Sequence, residues 1–144
     1  MNGRIVGNFD SLEVLHPRAY FEERGIFLDC RGKLTISGKS FWGYEVAVYT
    51  ASHTIINGEF GRLLLARVIV DDCAWIASRS ILYNCHIGEG AIVAVGSVVR
   101  SRDVKPYTIV EGNPARPIAE LINGNWVNLA GGVLDLTMLE RWYL

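Results

Sequence analysis

Ile87-Gly88-Glu89-Gly90-Ala91-Ile92, Val93-Ala94-Val95-Gly96-Ser97-Val98 and then Val99 is the stretch that decides the fold: an aliphatic residue stands first and a small one fifth in each unit of six. The preceding unit, Ile81-Leu82-Tyr83-Asn84-Cys85-His86, keeps the rhythm. An upstream block repeats it, with Ile36, Trp42 and Val48 leading and Ser40, Val46 and Ser52 in fifth place. Helical spacing is scarce before residue 118, so the six-residue period is read before any secondary structure. Six residues make one short strand and one turn, and three such units close a triangular coil of about 18 residues that stacks on the next. The pattern predicts a parallel β-helix of about three coils, all-β, with aliphatic ladders inside and small residues at the corners. A β-sandwich would need alternation with a period of two, and that leaves the small fifth residue unexplained.

Two registers compete between the blocks. Counting straight back from Ile81 makes Trp75 and Ile69 leading residues but places Arg79 at a fifth position. Starting from Val70 and Ile76 puts Ala74 and Ser80 there instead, with one residue missing before Ile81. An unpaired Arg inside a narrow apolar prism costs several kcal/mol, roughly, and a deletion at a turn costs far less, so the second register is preferred. It points Val70, Ile76, Ile87 and Val93 inward and Arg79 outward. Ile69 and Val99 are also expected in the ladders.

The rest of the composition narrows the classes. At 144 residues and 50% hydrophobic the chain reads as one domain, 1–144, with a repeat core over about 26–118 and a tail over 119–144. In the tail Leu136, Leu139 and Tyr143 fall at helical spacing, which predicts a short helix docked on a neighbouring subunit. A formal charge of −1 gives no field for nucleic acid or an anionic membrane. No apolar run is long enough to span a bilayer and the first residues lack a secretory signal, so the expected setting is cytoplasmic, without membrane insertion. Cys30, Cys73 and Cys85 are an odd count without CxxC spacing, which argues against a disulfide framework and against a cysteine zinc site. His16, His53 and His86 lie too far apart in sequence to suggest a three-histidine metal site, and no metal is expected.

The passages Ala74-Trp75-Ile76-Ala77, Ile87 to Val99, Gly112-Asn113-Pro114-Ala115-Arg116-Pro117-Ile118 and Tyr49-Thr50-Ala51-Ser52-His53 together resemble the hexapeptide-repeat acyltransferases. Within that family the chain is most similar to sugar O-acetyltransferases of maltose, galactoside, nodulation-factor and exopolysaccharide type. The resemblance implies a left-handed helix, acetyl-CoA as acyl donor, a saccharide or other small hydroxyl acceptor, and a homotrimer with active sites between subunits. It departs from the family pattern at Asn84-Cys85-His86, near Ser80, and at Arg100-Ser101-Arg102-Asp103, all of them corners. The helical front domain of serine acetyltransferases and the nucleotide-binding front domain of some amino-sugar N-acetyltransferases have no counterpart in these 144 residues.

Acyl transfer from a thioester to a hydroxyl needs a base near neutrality, donors for the oxyanion, and cations for the phosphates of the donor. His53 ends a hexapeptide at the start of a stretch, Thr54 to Ile69, that breaks the repeat, and in the resemblance it occupies the place of the catalytic base. Arg100, Arg102, Lys105 and Arg116 gather near the C-terminal edge of the repeats. Carried over by position, Ser78, Val95, Arg100, Ser101 and Arg116 match residues that line the pantetheine arm or the phosphates, with Ser101 and Arg102 interchangeable across the insertion. Trp75 either flanks the thiol end or covers a corner of the prism. His86 is expected to face solvent, and Cys73 and Cys85 to be packing residues. A non-catalytic scaffold and an amino-sugar N-acetyltransferase are the competing readings.

Overall fold

The computed structural model describes residues 3–9, 13–14 and 16–130, and at 13–14 the backbone alone. The chain runs β1 (Arg4–Val6), β2 (Glu13–Val14), α1 (Arg18–Glu23), β3 (Phe27–Asp29), β4 (Lys33–Ile36), β5 (Phe41–Trp42), β6 (Ala47–Tyr49), β7 (Ala51–Ile56) and β8 (Glu59–Leu65). It continues with β9 (Arg67–Val70), β10 (Trp75–Ile76), β11 (Ile81–Tyr83), β12 (Cys85–Ile87), β13 (Ile92–Val93), β14 (Val98–Arg100), β15 (Thr108–Gly112), β16 (Ala115–Ile122) and β17 (Asn125–Asn128). Three parallel sheets form the faces of a prism. The first is ordered β1-β3-β6-β11-β14, the second β2-β4-β9-β12, and the third β5-β10-β13-β15, which β16 and β17 extend in antiparallel fashion.

Three strands in sequence, one per face, make a coil. The coils β3-β4-β5, β6-β9-β10, β11-β12-β13 and β14-Val104-β15 are complete, with Val104 bridging to Ile87 in place of a full strand. Four coils therefore stand where the sequence suggested about three, because β14 and β15 continue the prism through an irregular corner.

The interior is built from three ladders: Leu28-Val48-Leu82-Val99, Ile36-Val70-Ile87-Val104 and Trp42-Ile76-Val93-Val110. All of these side chains are buried. Each such burial is worth about 1.5–3 kcal/mol, which is why the period is strict inside and loose at the corners. Ser40, Ala74, Ser80, Cys85, Ala91 and Ser97 are the buried small residues two positions before a ladder residue.

The preferred register holds where it matters. Val70, Ile76, Ile87 and Val93 are inside, and Arg79 is outside with its side chain 75% exposed and its Nε 2.8 Å from Glu45 Oε2. Two details are corrected. Ile69 lies on the outer face between buried Val68 and Val70, because neighbours along a strand point to opposite sides. The shortened unit falls at Tyr83-Asn84-Cys85 rather than before Ile81: Leu82 is the inward residue, and Asn84 absorbs the tight corner in a left-handed conformation (φ 47°).

At the N-terminal end α1 covers the prism, placing buried Phe21 edge-on against Trp42 at 5.7 Å between ring centroids. A solenoid needs such a cap: β1 and β2 lie below β3 and β4, but among the described residues β5 has no strand beneath it, and there Phe21 meets Trp42. At the other end residues 115–128 turn back as strands, so this part of the expected tail is sheet; Leu136, Leu139 and Tyr143 lie outside the described residues. No helix among the described residues is long and apolar enough to cross a membrane.

Candidate active site

The stretch that breaks the repeat is a hairpin. β7 and β8 pair antiparallel at the corner between the first and second sheets, in the coil of β6. Asn57 and Gly58 join them with φ of 52° and 78°, the left-handed pair that a two-residue type I′ turn demands. Asn-Gly between two apolar runs is legible in sequence as a two-residue hairpin turn, a signal that the six-residue repeat obscures.

His53 is on β7, exposed, opposite Leu63 in the ladder, with its ring meeting that of Phe60 edge-on at 5.8 Å and 74°. The root of the hairpin is latched to the coil below. Thr50 Oγ1 donates to the Asp29 carbonyl at 2.6 Å and accepts from the Gly32 N–H at 2.9 Å, while the Thr50 N–H donates to Asp29 Oδ2 at 3.2 Å. Arg31 grips the same carboxylate with Nε to Oδ1 at 2.8 Å and Nη2 to Oδ2 at 3.0 Å. Burial alone would raise the Asp29 carboxyl, but the Arg31 side chain and the Arg31 and Thr50 amides outweigh it and hold the group below the ordinary carboxylate range. Thr50, the residue that roots β7, is therefore fixed by the buried Asp29 carboxylate and its Arg31 partner.

Ser78 and Val95 stack one coil apart at the corner between the third and first sheets, as the registers Trp75↔Ile92 and Ile76↔Val93 require. Ser78 Oγ accepts the Tyr44 N–H at 2.9 Å, and the Ser78 carbonyl accepts the Gly96 N–H at 3.0 Å. Gly43 passes so close beneath that a Cβ there would stand 2.5 Å from Ser78 Oγ, so only glycine lets the two corners nest. Val95 is exposed on this corner.

Arg100 ends β14 in register with Tyr83 and Tyr49 on the outer side of the first sheet. At about 4.8 Å per strand, Arg100 sits about 10 Å along the axis from Tyr49, two strands away in the coil that carries His53. Ser101 turns the corner (φ 50°) above Asn84. Arg102 and Lys105 line a cleft of about 270 Å³ at the C-terminal end, over Val99, Val104 and Val110, together with Asp103 and Glu120. Arg116 follows the cis Asn113–Pro114 bond, exposed on β16 opposite Glu111. The basic edge thus divides: Arg100 faces the first sheet, Arg102 and Lys105 the terminal cleft, and Arg116 the return strand.

Ser78 and Val95 at one corner, and His53, Arg100 and Ser101 at the next, are the two borders of one surface, the outer face of the first sheet. Trp75 is on the adjoining third face, half-buried between Phe41 and Ile92. His86 faces outward on the second sheet, where its Nε2 pairs with Asp71 Oδ2 at 2.7 Å. His16 stacks on Tyr20 at 4.1 Å with Nε2 donating to the Ser40 carbonyl at 2.9 Å. The three histidines serve three different neighbourhoods, and no group of three or more His, Cys, Asp or Glu side chains among the described residues is arranged to hold a metal ion. Burial pushes the Cys85 thiol up to about 12, and burial beside Asp29 pushes Cys30 up to about 11, so neither is a ready nucleophile. Cys73 is exposed at a corner.

No family model matches the chain. In sequence it is similar to the chloramphenicol acetyltransferase of Agrobacterium fabrum, 31% identical over 74 residues, covering 51% of this chain and 35% of that one. In structure it is similar to a maltose O-acetyltransferase from Clostridium difficile (27% identity, TM-score 0.64, 69% of this chain and 54% of that one). It is also similar to a hexapeptide-repeat acetyltransferase of Vibrio cholerae complexed with acetyl coenzyme A (26% identity, TM-score 0.59, 68% of this chain and 55% of that one). The chain spans less than half the length of the curated relatives it matches first. Its prism is the left-handed β-helix of the hexapeptide-repeat acetyltransferases: the repeat implied the parallel β-helix, and the resemblance its hand.

Proposed function

We propose that the protein is an acyltransferase that moves an acetyl group from acetyl-CoA to a hydroxyl of a sugar or saccharide precursor, with His53 as general base. What supports this reading is that Ser78 and Val95 stand at one border of the first sheet and Arg100 and Ser101 at the other, the border from which the hairpin bearing His53 leaves the coil of β6. His53 takes the proton of the acceptor hydroxyl as its oxygen attacks the thioester carbonyl. Backbone N–H groups receive the developing oxyanion, and the tetrahedral intermediate collapses with expulsion of the coenzyme A thiolate, which is then protonated. No covalent enzyme intermediate is required, in keeping with the raised thiols of Cys30 and Cys85.

Ser78 and Val95 would flank the pantetheine arm, and Arg100, Ser101, Arg102 and Arg116 the phosphates, a charge pattern suited to an anionic donor although the whole chain is nearly neutral. Trp75, on the neighbouring face, would meet the donor only where two copies lie side by side. A single prism offers its site face as an open surface, so we place the working site between subunits of a homotrimer. The setting is cytosolic, where acyl-coenzyme A is supplied.

Calorimetric titration with coenzyme A, followed by thiol release from acetyl-CoA across a panel of sugar hydroxyl acceptors, tests the reading. Binding with acceptor-dependent thiol release is the expected result. A chain that fails to bind coenzyme A is a scaffold.

A further inference from the structure

Where the hairpin rejoins the prism, the end of β8 and the first residues of β4 and β9 enclose a notch of about 530 Å³, lined by Arg31, Gly32, Lys33, Leu65, Arg67 and Asn84. Its charged side chains are set by register. Lys33 stands directly beside Arg67 on neighbouring parallel strands, and Asn84 follows next to Arg67 because Cys85 pairs with Val68. At about 4.8 Å per strand the two cations are stacked at the same step, and both are exposed. Neither forms an ion pair with a described side chain. Like charges directly opposite one another in a sheet are destabilising, so this pair works against the fold. Arg31 adds a third cation, bound through Nε and Nη2 to the buried Asp29 carboxylate while its side chain stays 45% exposed. The floor is bare: a Cβ on Gly32 would stand 2.4 Å from the Ala66 carbonyl oxygen and 2.5 Å from that of Thr50.

We infer that this notch is a binding site for the phosphate group of a small ligand, separate from the donor phosphates assigned to Arg100, Ser101, Arg102 and Arg116. A concave surface lined by one sign of charge concentrates its field locally, even on a chain whose net charge is −1. Asp29 offsets Arg31, so Lys33 and Arg67 remain as the two uncompensated charges of the notch. That matches a phosphate monoester, which carries about −1.5 to −2 at neutral pH, whereas a carboxylate offsets one cation and a neutral sugar neither. The group would remove the Lys33–Arg67 repulsion and take donors from both, the ammonium as a point charge and the guanidinium as a planar fork across two phosphate oxygens. Asn84 supplies an uncharged amide one strand further on, with its Nδ2 3.5 Å from Ser101 Oγ. Leu65, 59% exposed, gives the carbon frame of the ligand an apolar wall. The charge match holds whether or not His53 is a base.

Titration of the full chain with inorganic phosphate, at constant ionic strength and with chloride as the control anion, reads the site through the melting temperature and the NMR shifts of the Gly32, Lys33 and Asn84 amides. Phosphate should raise the melting temperature and move these amides saturably, and chloride should do neither. Lys33→Gln should weaken phosphate binding about tenfold, the scale of one charge-assisted hydrogen bond. Arg67→Glu should abolish it and, by pairing with Lys33, leave the melting temperature of the free protein unchanged or higher. Two further ligands separate the sources of the group. Glucose 1-phosphate should displace inorganic phosphate where glucose does not, and Lys33→Gln should leave the affinity for coenzyme A little changed. Phosphate effects that match those of chloride, or that survive in Arg67→Glu, overturn the inference. So does an equal loss of coenzyme A and phosphate affinity in Lys33→Gln, since the notch then belongs to the donor. Should coenzyme A fail to bind the wild type while phosphate still binds through Arg67, the acyl-transfer reading falls and the notch stands.

Discussion

The prism and the hairpin use the same residue types in opposite ways. In the prism, Val, Ile and Leu recur every six residues and all twelve ladder positions named above are buried. In β7–β8, Ile55, Ile56, Phe60 and Leu63 to Leu65 follow no six-residue period and remain exposed. The first pattern closes on itself and specifies a rigid rod with little freedom to vary inside. The second leaves apolar surface exposed beside His53, the histidine we propose as the base. On the proposed reading stability and chemistry fall to different segments, joined by a few polar residues, Asp29, Arg31 and Thr50, buried or anchored at the hairpin root.

The largest effect that could break this contrast comes from placing one charge in each region. Ile87→Asp puts an unpaired carboxylate in a closed ladder at a cost of several kcal/mol against a total stability of about 5–15, so the chain should fail to fold. Ile56→Asp, at an exposed position of the hairpin, should cost less than about 1 kcal/mol. Thermal melts decide it, and two equal losses would mean that the hairpin is as buried as the prism.

A middle-sized effect sharpens the contrast on the donor side, which we assign to the prism and its return strand. Arg116→Ala should raise the KM for acetyl-CoA by about tenfold, the scale of one charge-assisted hydrogen bond, and leave the acceptor KM little changed. Dephospho-coenzyme A as donor separates the phosphates: equal discrimination by mutant and wild type removes Arg116 from the 3′-phosphate.

The smallest effect concerns the register. Arg79 pairs with Glu45 at an exposed corner, so Arg79→Ala should shift stability by less than about 0.5 kcal/mol in a urea titration. A much larger loss would contradict the outward placement on which the position of Ser78 depends.

Most of the prism was legible because the interior tolerates only one kind of side chain at each step. The need to keep Arg79 out of that interior fixed Val70 and Ile76 correctly. What was less legible lies at corners, where many sequences turn equally well. The short unit at Asn84 was misplaced by a few residues because Ile81 and Leu82 are both aliphatic and only the backbone shows which one points in. Ile69 was misassigned for the same reason, between two other aliphatics. His53 and the donor residues came from position and resemblance, whereas the basic notch at the hairpin root depends on the register of β4 against β9. The Asp29–Arg31–Thr50 latch joins residues 21 apart and left no local pattern.

The central claim is that the hairpin carries the base and the prism carries the fold and the donor, and His53→Gln tests it most directly. Turnover is measured as thiol release at saturating acetyl-CoA, alongside the melting temperature and coenzyme A affinity of the same protein. The account predicts a loss of about 10²–10⁴-fold in turnover with melting and coenzyme A binding unchanged. Turnover within a few-fold of the wild type would contradict it, as would a collapse of the fold from the loss of one exposed side chain.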